Sequence, residues 1–140
     1  MQQNSNNAFS FGTLVGKKAP DFITHSFHQN KFKDIKLSQL FGRWVILAFY
    51  PGDFTFVCPT ELRRFADMYN DFKKANAEIL SVSTDSEHVH KAWWDQSASI
   101  KKIQYPMLAD NSGKISKLYG VYINEGVDEG RALRDTFIID

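Results

Sequence analysis

Residues 44–62 of the chain read WVILAFYPGDFTFVCPTEL. The run at 44–50 is continuously apolar, which is typical of a strand buried on both faces of a sheet. The Pro-Gly-Asp sequence at 51–53 ends that strand with strong breakers. Apolar residues at helical spacing follow the turn: Leu62, Phe65, Ala66, Tyr69 and Phe72. We therefore predict a helix from about Pro59 to the Lys73-Lys74 pair.

Further elements alternate along the rest of the chain. Strands are predicted at 79–83 and 136–139, and helices at 87–95 and 114–119. This order indicates an α/β fold, with a central, mostly parallel sheet flanked by helices and joined by right-handed crossovers. No internal repeat or linker divides the sequence, so we interpret residues 1–140 as one domain, with residues 1–12 as a loose N-terminal arm.

Composition and charge narrow the class of protein. The 140 residues are 43% apolar and 24% charged, with a net charge of +1, which predicts neither nucleic-acid binding nor attachment to a membrane surface. Residues 1–10 lack the pattern of a signal peptide, and no apolar run approaches the ~20 residues of a membrane span. One unpaired cysteine and no export signal predict a cytoplasmic setting.

Histidines are a weak signal for a metal site in this sequence. His88 and His90 lie two residues apart on a predicted helix, so their side chains point to different faces, and we predict no metal. His25 and His28 lie in a stretch of turn-like composition and are expected to be solvated. The Trp93-Trp94 pair is expected in the core and at an interface rather than as a platform for a substrate.

Cys58 is the candidate with the most chemical content. It directly precedes Pro59, a residue favoured in the first turn of a helix, so its sulfur is expected near unpaired N–H groups. Such positions lower a thiol pKa from ~8.5 to roughly 3.5–7.5. Thr55, three residues earlier, can aim a hydroxyl at the same point. The alternative is that this lone cysteine is a small buried side chain of the core. The local physical chemistry leaves both the reactive and the structural interpretation open.

A family resemblance adds to this interpretation. Pro51, Thr55 and Cys58 match the active-site motif Pro-x-x-x-Thr-x-x-Cys of the peroxiredoxins. The surrounding residues resemble the typical two-cysteine branch, which includes bacterial alkyl hydroperoxide reductase. Further similar segments lie at 83–86, 90–93, 105–110 and 132–140. The resemblance implies a thioredoxin-like fold and a peroxidase for hydrogen peroxide and organic hydroperoxides, without metal, haem or flavin.

The resemblance also implies a role for each residue of the site. Cys58 is the nucleophile, whose thiolate becomes a sulfenic acid. Thr55 holds the peroxide oxygen, and Arg134 polarises the peroxide and stabilises the thiolate. Pro51 shields the pocket from water, while Glu61 tethers active-site arginines. Arg131 is a weaker candidate for the arginine role, because its surroundings fit the motif less well.

The sequence departs from this branch in one respect that affects turnover. The branch carries a second, resolving cysteine in a C-terminal Val-Cys-Pro, whereas Cys58 is the single cysteine here. The sequence thus resembles a truncated form in which the C-terminal part of the family fold is missing. We expect recycling by an external thiol or disulfide reductase, and a homodimer or higher homo-oligomer. The alternative is a weakly active or inactive fragment that acts only as an oligomerising, holdase-type protein.

Overall fold

The computed structural model describes residues 14–55 and 58–140, and for Cys58 it describes the backbone. Within these residues, six strands form one sheet in the order β2-β1-β5-β4-β3-β6. The strands are β1 (Ile23–His28), β2 (Lys31–Lys36), β3 (Trp44–Phe49), β4 (Ala77–Ser83), β5 (Met107–Ala109) and β6 (Asp135–Ile139). The helices are α1 (Cys58–Asp67), α2 (Tyr69–Lys74), α3 (Glu87–Gln96) and α4 (Lys114–Leu118), with short 3-10 turns at Leu37–Leu40 and Ile100–Lys102.

The α/β architecture with a sheet flanked by helices is confirmed, but the direction of its strands needs a correction. Strands β3, β4 and β5 run parallel at the centre, as predicted. The pairings of β1 with β2, β1 with β5 and β3 with β6 are antiparallel, so the sheet is mixed rather than mostly parallel. The predicted parallel direction holds for β3, β4 and β5.

The β1–β2 hairpin was not predicted. Its two turn residues, Gln29 and Asn30, have φ angles of 52° and 63°, which is the left-handed pair that a tight hairpin of this kind needs. The turn-like composition was misleading, because His25 and His28 both lie on β1. The expected exposure to solvent is confirmed for His25 and only in part for His28. His25 is exposed beside Asp34 of β2, whereas His28 is only partly exposed.

The predicted helix after the turn is interrupted once. α1 ends at Asp67 and α2 begins at Tyr69, because Met68 between them has φ −100° and ψ 4°, outside the helical range. The apolar face survives the interruption, since Leu62 and Tyr69 are both buried. The remaining predicted elements match β3, β4, α3, α4 and β6 to within about two residues.

The buried strand β3 shows how the sheet divides the core. Val45, Leu47 and Phe49 pack into one apolar cluster, together with side chains of α4. Ile46 and Tyr50 point to the opposite face and pack into a second cluster, with side chains of α1 and α3. Burial on both faces is what its continuous apolar sequence predicted. Residues 1–12, the predicted N-terminal arm, lie outside the described residues, and the interpretation as one domain stays a prediction.

Candidate active site

Two strand ends meet at the point where the chain leaves β3. β3 ends at Phe49, and helix α1 begins at Cys58 after the intervening turn. Because β6 runs antiparallel to β3, its first residue, Asp135, pairs with Phe49. Arg134, immediately before β6, is thereby brought to the edge of the sheet from which the turn and α1 start. Sheet pairing therefore brings Arg134 to the edge of the sheet at which α1 starts, although the two are far apart in sequence.

Arg134 reaches the first turn of α1. Its Nη1 donates a hydrogen bond to Oε1 of Glu61 across 3.0 Å, and the two side chains are 38% and 41% exposed. Arg131, the weaker candidate from the sequence, lies 3.7 Å from Asp128 in its own loop instead. The structure thus places Arg134 against the helix that begins with Cys58, and Glu61 contacts it as the sequence analysis expected of a tethering residue.

A groove of about 530 Å³ lies between α1 and the start of β6. Its lining includes the charged residues Glu61, Arg64, Arg134 and Asp135. Apolar and aromatic side chains such as Leu62 and Phe65 contribute much of the rest. A cationic donor beside apolar surface is suited to a small ligand that has both a polar and an alkyl part. The side chain of Cys58 and residues 56–57 lie outside the described part of the chain.

The turn after β3 carries the other two predicted residues. Pro51 and Thr55 are both partly buried, and Thr55 Oγ1 donates a hydrogen bond to the carbonyl of Gly52 across 3.3 Å. Phe54, directly before Thr55, has a φ of 62° and is 53% exposed. A left-handed backbone at a bulky residue is uncommon and requires support from its surroundings. The predicted roles of Pro51 and Thr55 toward a peroxide stay predictions.

A buried polar network beneath this turn was missed by the sequence analysis. Tyr50 donates its hydroxyl hydrogen to Oδ1 of Asp53 across 2.6 Å, and Nδ1 of His90 lies 2.7 Å from Oδ2 of the same carboxyl group. His90 and Trp93 are spaced like neighbours on one helical face and are both buried. Because Trp93 was already expected in the core, its spacing from His90 was the signal that could have shown His90 to be buried.

Burial and charge shift the pKa values in this network. Burial alone would lower the pKa of His90, but the hydrogen bond and charge of Asp53 outweigh it, so the pKa of His90 is raised. Burial also raises the pKa of Tyr50 well above its ordinary value. Tyr50 therefore stays a neutral donor. Burial raises the pKa of Asp53 as well, against the opposing effect of His90, so the two side chains hold a proton between them.

Other kinds of site find little support in the described part of the chain. Among residues 14–55 and 58–140, no group of three or more His, Cys, Asp or Glu side chains could hold a metal ion. His88, two residues before His90, is exposed and lies 4.0 Å from the carboxyl group of Glu87. Over the same residues, no helix is both long enough and apolar enough to cross a membrane.

Comparison with known proteins identifies the family. The profile of the AhpC/TSA family matches residues 15–140, and the chain belongs to this family. It is 48% identical over 129 residues to a selenocysteine-containing peroxiredoxin of Peptoclostridium acidaminophilum, covering 90% of this chain and 62% of that protein. It is 47% identical over 131 residues to the chloroplastic 2-Cys peroxiredoxin BAS1 of Hordeum vulgare, covering 91% and 61%. The chain thus spans about three fifths of the length of these curated relatives.

Solved structures confirm the thioredoxin-like fold. AhpC of Enterococcus faecalis superposes with a TM-score of 0.82 at 41% identity, over 88% of this chain and 72% of that one. The reduced 2-Cys peroxiredoxin of Plasmodium vivax superposes with a TM-score of 0.84 at 36% identity, over 91% and 67%. The resemblance seen in the active-site motif therefore extends to the whole described fold.

Proposed function

We propose that this chain is a thiol-dependent peroxidase in which the Cys58 thiolate reduces hydrogen peroxide and small organic hydroperoxides. The observation that carries the proposal is the ion pair of Arg134 with Glu61, which holds a guanidinium at the first turn of the helix that begins with Cys58. A fixed cation at a helix N-terminus favours both a thiolate and the negative charge that develops on a departing oxygen.

The reaction is a two-electron displacement at oxygen. The sulfur of the Cys58 thiolate attacks one peroxide oxygen, so that an S–O bond forms while the O–O bond breaks. Sulfur is oxidised to a sulfenic acid, and the peroxide is reduced to hydroxide or alkoxide, which takes a proton and leaves as water or alcohol. Thr55 is proposed to hold the attacked peroxide, Arg134 to stabilise the departing oxygen, and Pro51 to exclude water.

A lowered thiol pKa cannot supply the acceleration alone. Lowering the pKa from ~8.5 to ~6 raises the thiolate fraction at neutral pH by about tenfold or somewhat more. With a Brønsted slope of ~0.4, the less basic thiolate loses about the same factor in nucleophilicity. Most of the acceleration must therefore come from donors aimed at the charge of the transition state, which is the role proposed for Thr55 and Arg134.

The proposal extends to the partners of the reaction. Reduction of the sulfenic acid requires a second thiol, and residues 1–140 contain no cysteine besides Cys58. We propose that an external thiol or a disulfide reductase supplies it, that the protein acts as a homodimer or higher homo-oligomer, and that it works in the reducing cytoplasm. The kinship with 2-Cys peroxiredoxins supports the need for a second thiol. The single unpaired cysteine supports the reducing compartment.

The direct test is the rate at which stoichiometric hydrogen peroxide oxidises Cys58, followed by sulfenic-acid trapping and mass spectrometry. We expect a rate orders of magnitude above that of a free thiol at the same pH, with large losses in Thr55→Val and Arg134→Ala. Arg131→Ala is the matched control, because Arg131 pairs with Asp128 and not with Glu61. A wild-type rate equal to that of the free thiol would overturn the proposal.

A further inference from the structure

Asp53 forms polar contacts that connect the turn after β3 to three other parts of the fold. Its carboxyl group accepts the hydrogen bond of Tyr50, at the end of β3, and lies 2.7 Å from the His90 ring on α3. Its backbone N–H donates to Oδ2 of Asp85 across 2.8 Å, in the connection between β4 and α3. The Asp53 and His90 side chains are fully buried, so water does not weaken these contacts.

The His90 ring is held on both sides by acceptors. Its Nδ1 faces Asp53, and its Nε2 lies 2.9 Å from the carbonyl oxygen of Leu108 on β5. A carbonyl can only accept, so Nε2 carries a hydrogen, and the pair shares a further proton between Nδ1 and the Asp53 carboxylate. The ring therefore spans from β5 to the turn, and the shared proton completes the connection.

The backbone next to Asp53 needs such an anchor. Phe54 follows directly, with its φ of 62°, and leads into Thr55. A left-handed phenylalanine persists only where neighbouring contacts determine the backbone. The Phe54 ring lies 6.0 Å from the ring of Trp93 but is half exposed, so the buried contacts in this turn are those of Asp53.

We propose that His90 is a positioning residue for the peroxidase reaction: through Asp53 it holds the turn of residues 51–55, and with it Thr55, in the geometry that the reaction needs. The inference rests on the proposed function. His90 touches no reacting atom in this scheme, and its effect on the rate passes through the backbone of the turn.

The same geometry predicts a pH dependence. The charged and titratable groups that face His90 are Asp53 from the turn and Asp85 from the β4–α3 connection, and both raise the His90 pKa against the effect of burial. From β5 the ring meets only the carbonyl of Leu108. Because burial is outweighed by Asp53, the pKa of His90 is raised above its ordinary value of about 6.5, and the shared proton is lost as the pH rises through that raised value. Loss of that proton leaves Nδ1 facing a carboxylate with no hydrogen between them, which loosens the turn.

Two substitutions separate the geometry from the proton. His90→Ala removes the anchor and should slow the oxidation of Cys58 by hydrogen peroxide at least tenfold at neutral pH. Asp53→Asn replaces the charged anchor with an uncharged one. The side-chain amide N–H at position 53 can then donate to a neutral His90 ring, and the amide oxygen still accepts from Tyr50. We expect Asp53→Asn to be oxidised at Cys58 much faster than His90→Ala. We also expect its oxidation rate not to decline at alkaline pH. His88→Ala is the matched control, because His88 lies two residues away with a side chain 74% exposed.

A second reagent distinguishes positioning from general damage to the site. Alkylation of Cys58 by iodoacetamide needs the thiolate but no alignment with Thr55, so His90→Ala should slow alkylation far less than peroxide oxidation. Amide hydrogen exchange at residues 52–55, measured in the same variants, should speed up in His90→Ala and, for the wild type, at alkaline pH. Circular dichroism of each variant verifies that it is folded.

The outcomes are distinct for the two proposals. A fast wild type, with His90→Ala equally fast and with the same pH profile, would overturn the role of His90 and leave the peroxidase proposal intact. A wild type no faster than a free thiol would overturn the peroxidase proposal. In that case hydrogen exchange alone would test whether His90 holds the turn. Unchanged exchange at residues 52–55 in His90→Ala would overturn the role of His90 too. If His90→Ala does not fold, the pH profile of Asp53→Asn remains as the test. An alkaline decline in its rate of Cys58 oxidation equal to the decline of the wild type would contradict the inference.

Discussion

Arg134 Nη1 lies 3.0 Å from Glu61 Oε1, and this contact joins the start of β6 to the first turn of α1. Both side chains are about two fifths exposed, at 38% and 41%, so solvent screens their attraction. An exposed pair of this kind contributes about 0–1 kcal/mol to stability. Its importance is positional, because it fixes a flexible guanidinium near the helix end at which Cys58 lies.

Glu61→Gln should therefore impair the reaction more than the fold. We expect the oxidation of Cys58 by hydrogen peroxide to slow by about tenfold, since small misplacements of a catalytic group cost that much or more. The free energy of unfolding in urea should change by less than about 1 kcal/mol. Stopped-flow oxidation and equilibrium unfolding measure the two quantities.

The control for Glu61→Gln lies on the same helix. Arg63 Nε and Asp67 Oδ1 form an ion pair of the same length, 3.0 Å, with similar exposure. Asp67→Asn should alter stability as slightly as Glu61→Gln does, without slowing oxidation. Equal losses of rate in both variants would mean that the helix charge, and not the position of Arg134, controls the reaction.

Much of the fold follows from periodicity, and the parts that do not have physical reasons. The apolar run of β3 has no plausible alternative to a buried strand, and its prediction was accurate. The hairpin at Gln29-Asn30 lacks the Asn-Gly or Asp-Gly pair that marks such turns, so its left-handed residues left no clear signal. β5 is three residues long, too short for alternation to be visible.

The candidate site was predictable only where its residues belong to a recognisable motif. Motif and spacing led to Thr55, Glu61 and Arg134, and the pairing of β6 with β3 then accounts for the approach of Arg134. The anchoring pair of Asp53 with His90 depends on contacts between residues 37 apart in sequence, which no local pattern contains. For His90 the sequence indicated the correct helix but not its buried face.

Gly113 offers a test of backbone and packing together. Its φ is +76°, and a Cβ there would meet the ring of Tyr122, with Cδ1 only 2.9 Å away. Gly126 also has a positive φ, +95°, but open space around it. Gly126→Ala should cost about 1–2 kcal/mol for the left-handed backbone alone. Gly113→Ala should cost a further 1–3 kcal/mol or so for overpacking. Urea unfolding of both variants measures the difference, and equal losses would contradict the clash.

Two buried tyrosines allow a hydrogen bond to a charged acceptor to be compared with a hydrogen bond to a neutral acceptor. Tyr69 donates to the carboxylate of Glu78 across 2.8 Å, and Tyr105 donates to the carbonyl of Leu62 across 2.9 Å. Hydrogen bonds to charged groups contribute about 1.5–3 kcal/mol, against about 0.5–1.5 kcal/mol for neutral pairs. Tyr69→Phe should therefore destabilise the protein more than Tyr105→Phe in denaturant unfolding. The reverse order would show that Glu78 retains enough partners without Tyr69.

The shifted pKa of His90 makes a signed prediction about stability. The pKa of His90 is raised in the folded state, because the hydrogen bond and charge of Asp53 outweigh the effect of burial. The proton that His90 holds therefore stabilises the fold fully below the unfolded pKa of about 6.5, and this stabilisation is lost as pH rises through the folded value. The free energy of unfolding of the wild type, minus that of His90→Gln, should thus be largest at acidic to neutral pH and decline toward alkaline pH.

Subtraction of the variant curve removes the contributions of groups that do not contact His90, and it keeps that of its partner Asp53. His25 also has a raised pKa, from its contact with Asp34 on the exposed hairpin, but it is present in both proteins and cancels from the difference. A difference for His90→Gln that grew with pH would mean that the pair is held together without its proton, since a group with a raised folded pKa cannot stabilise the protein more after it has been deprotonated.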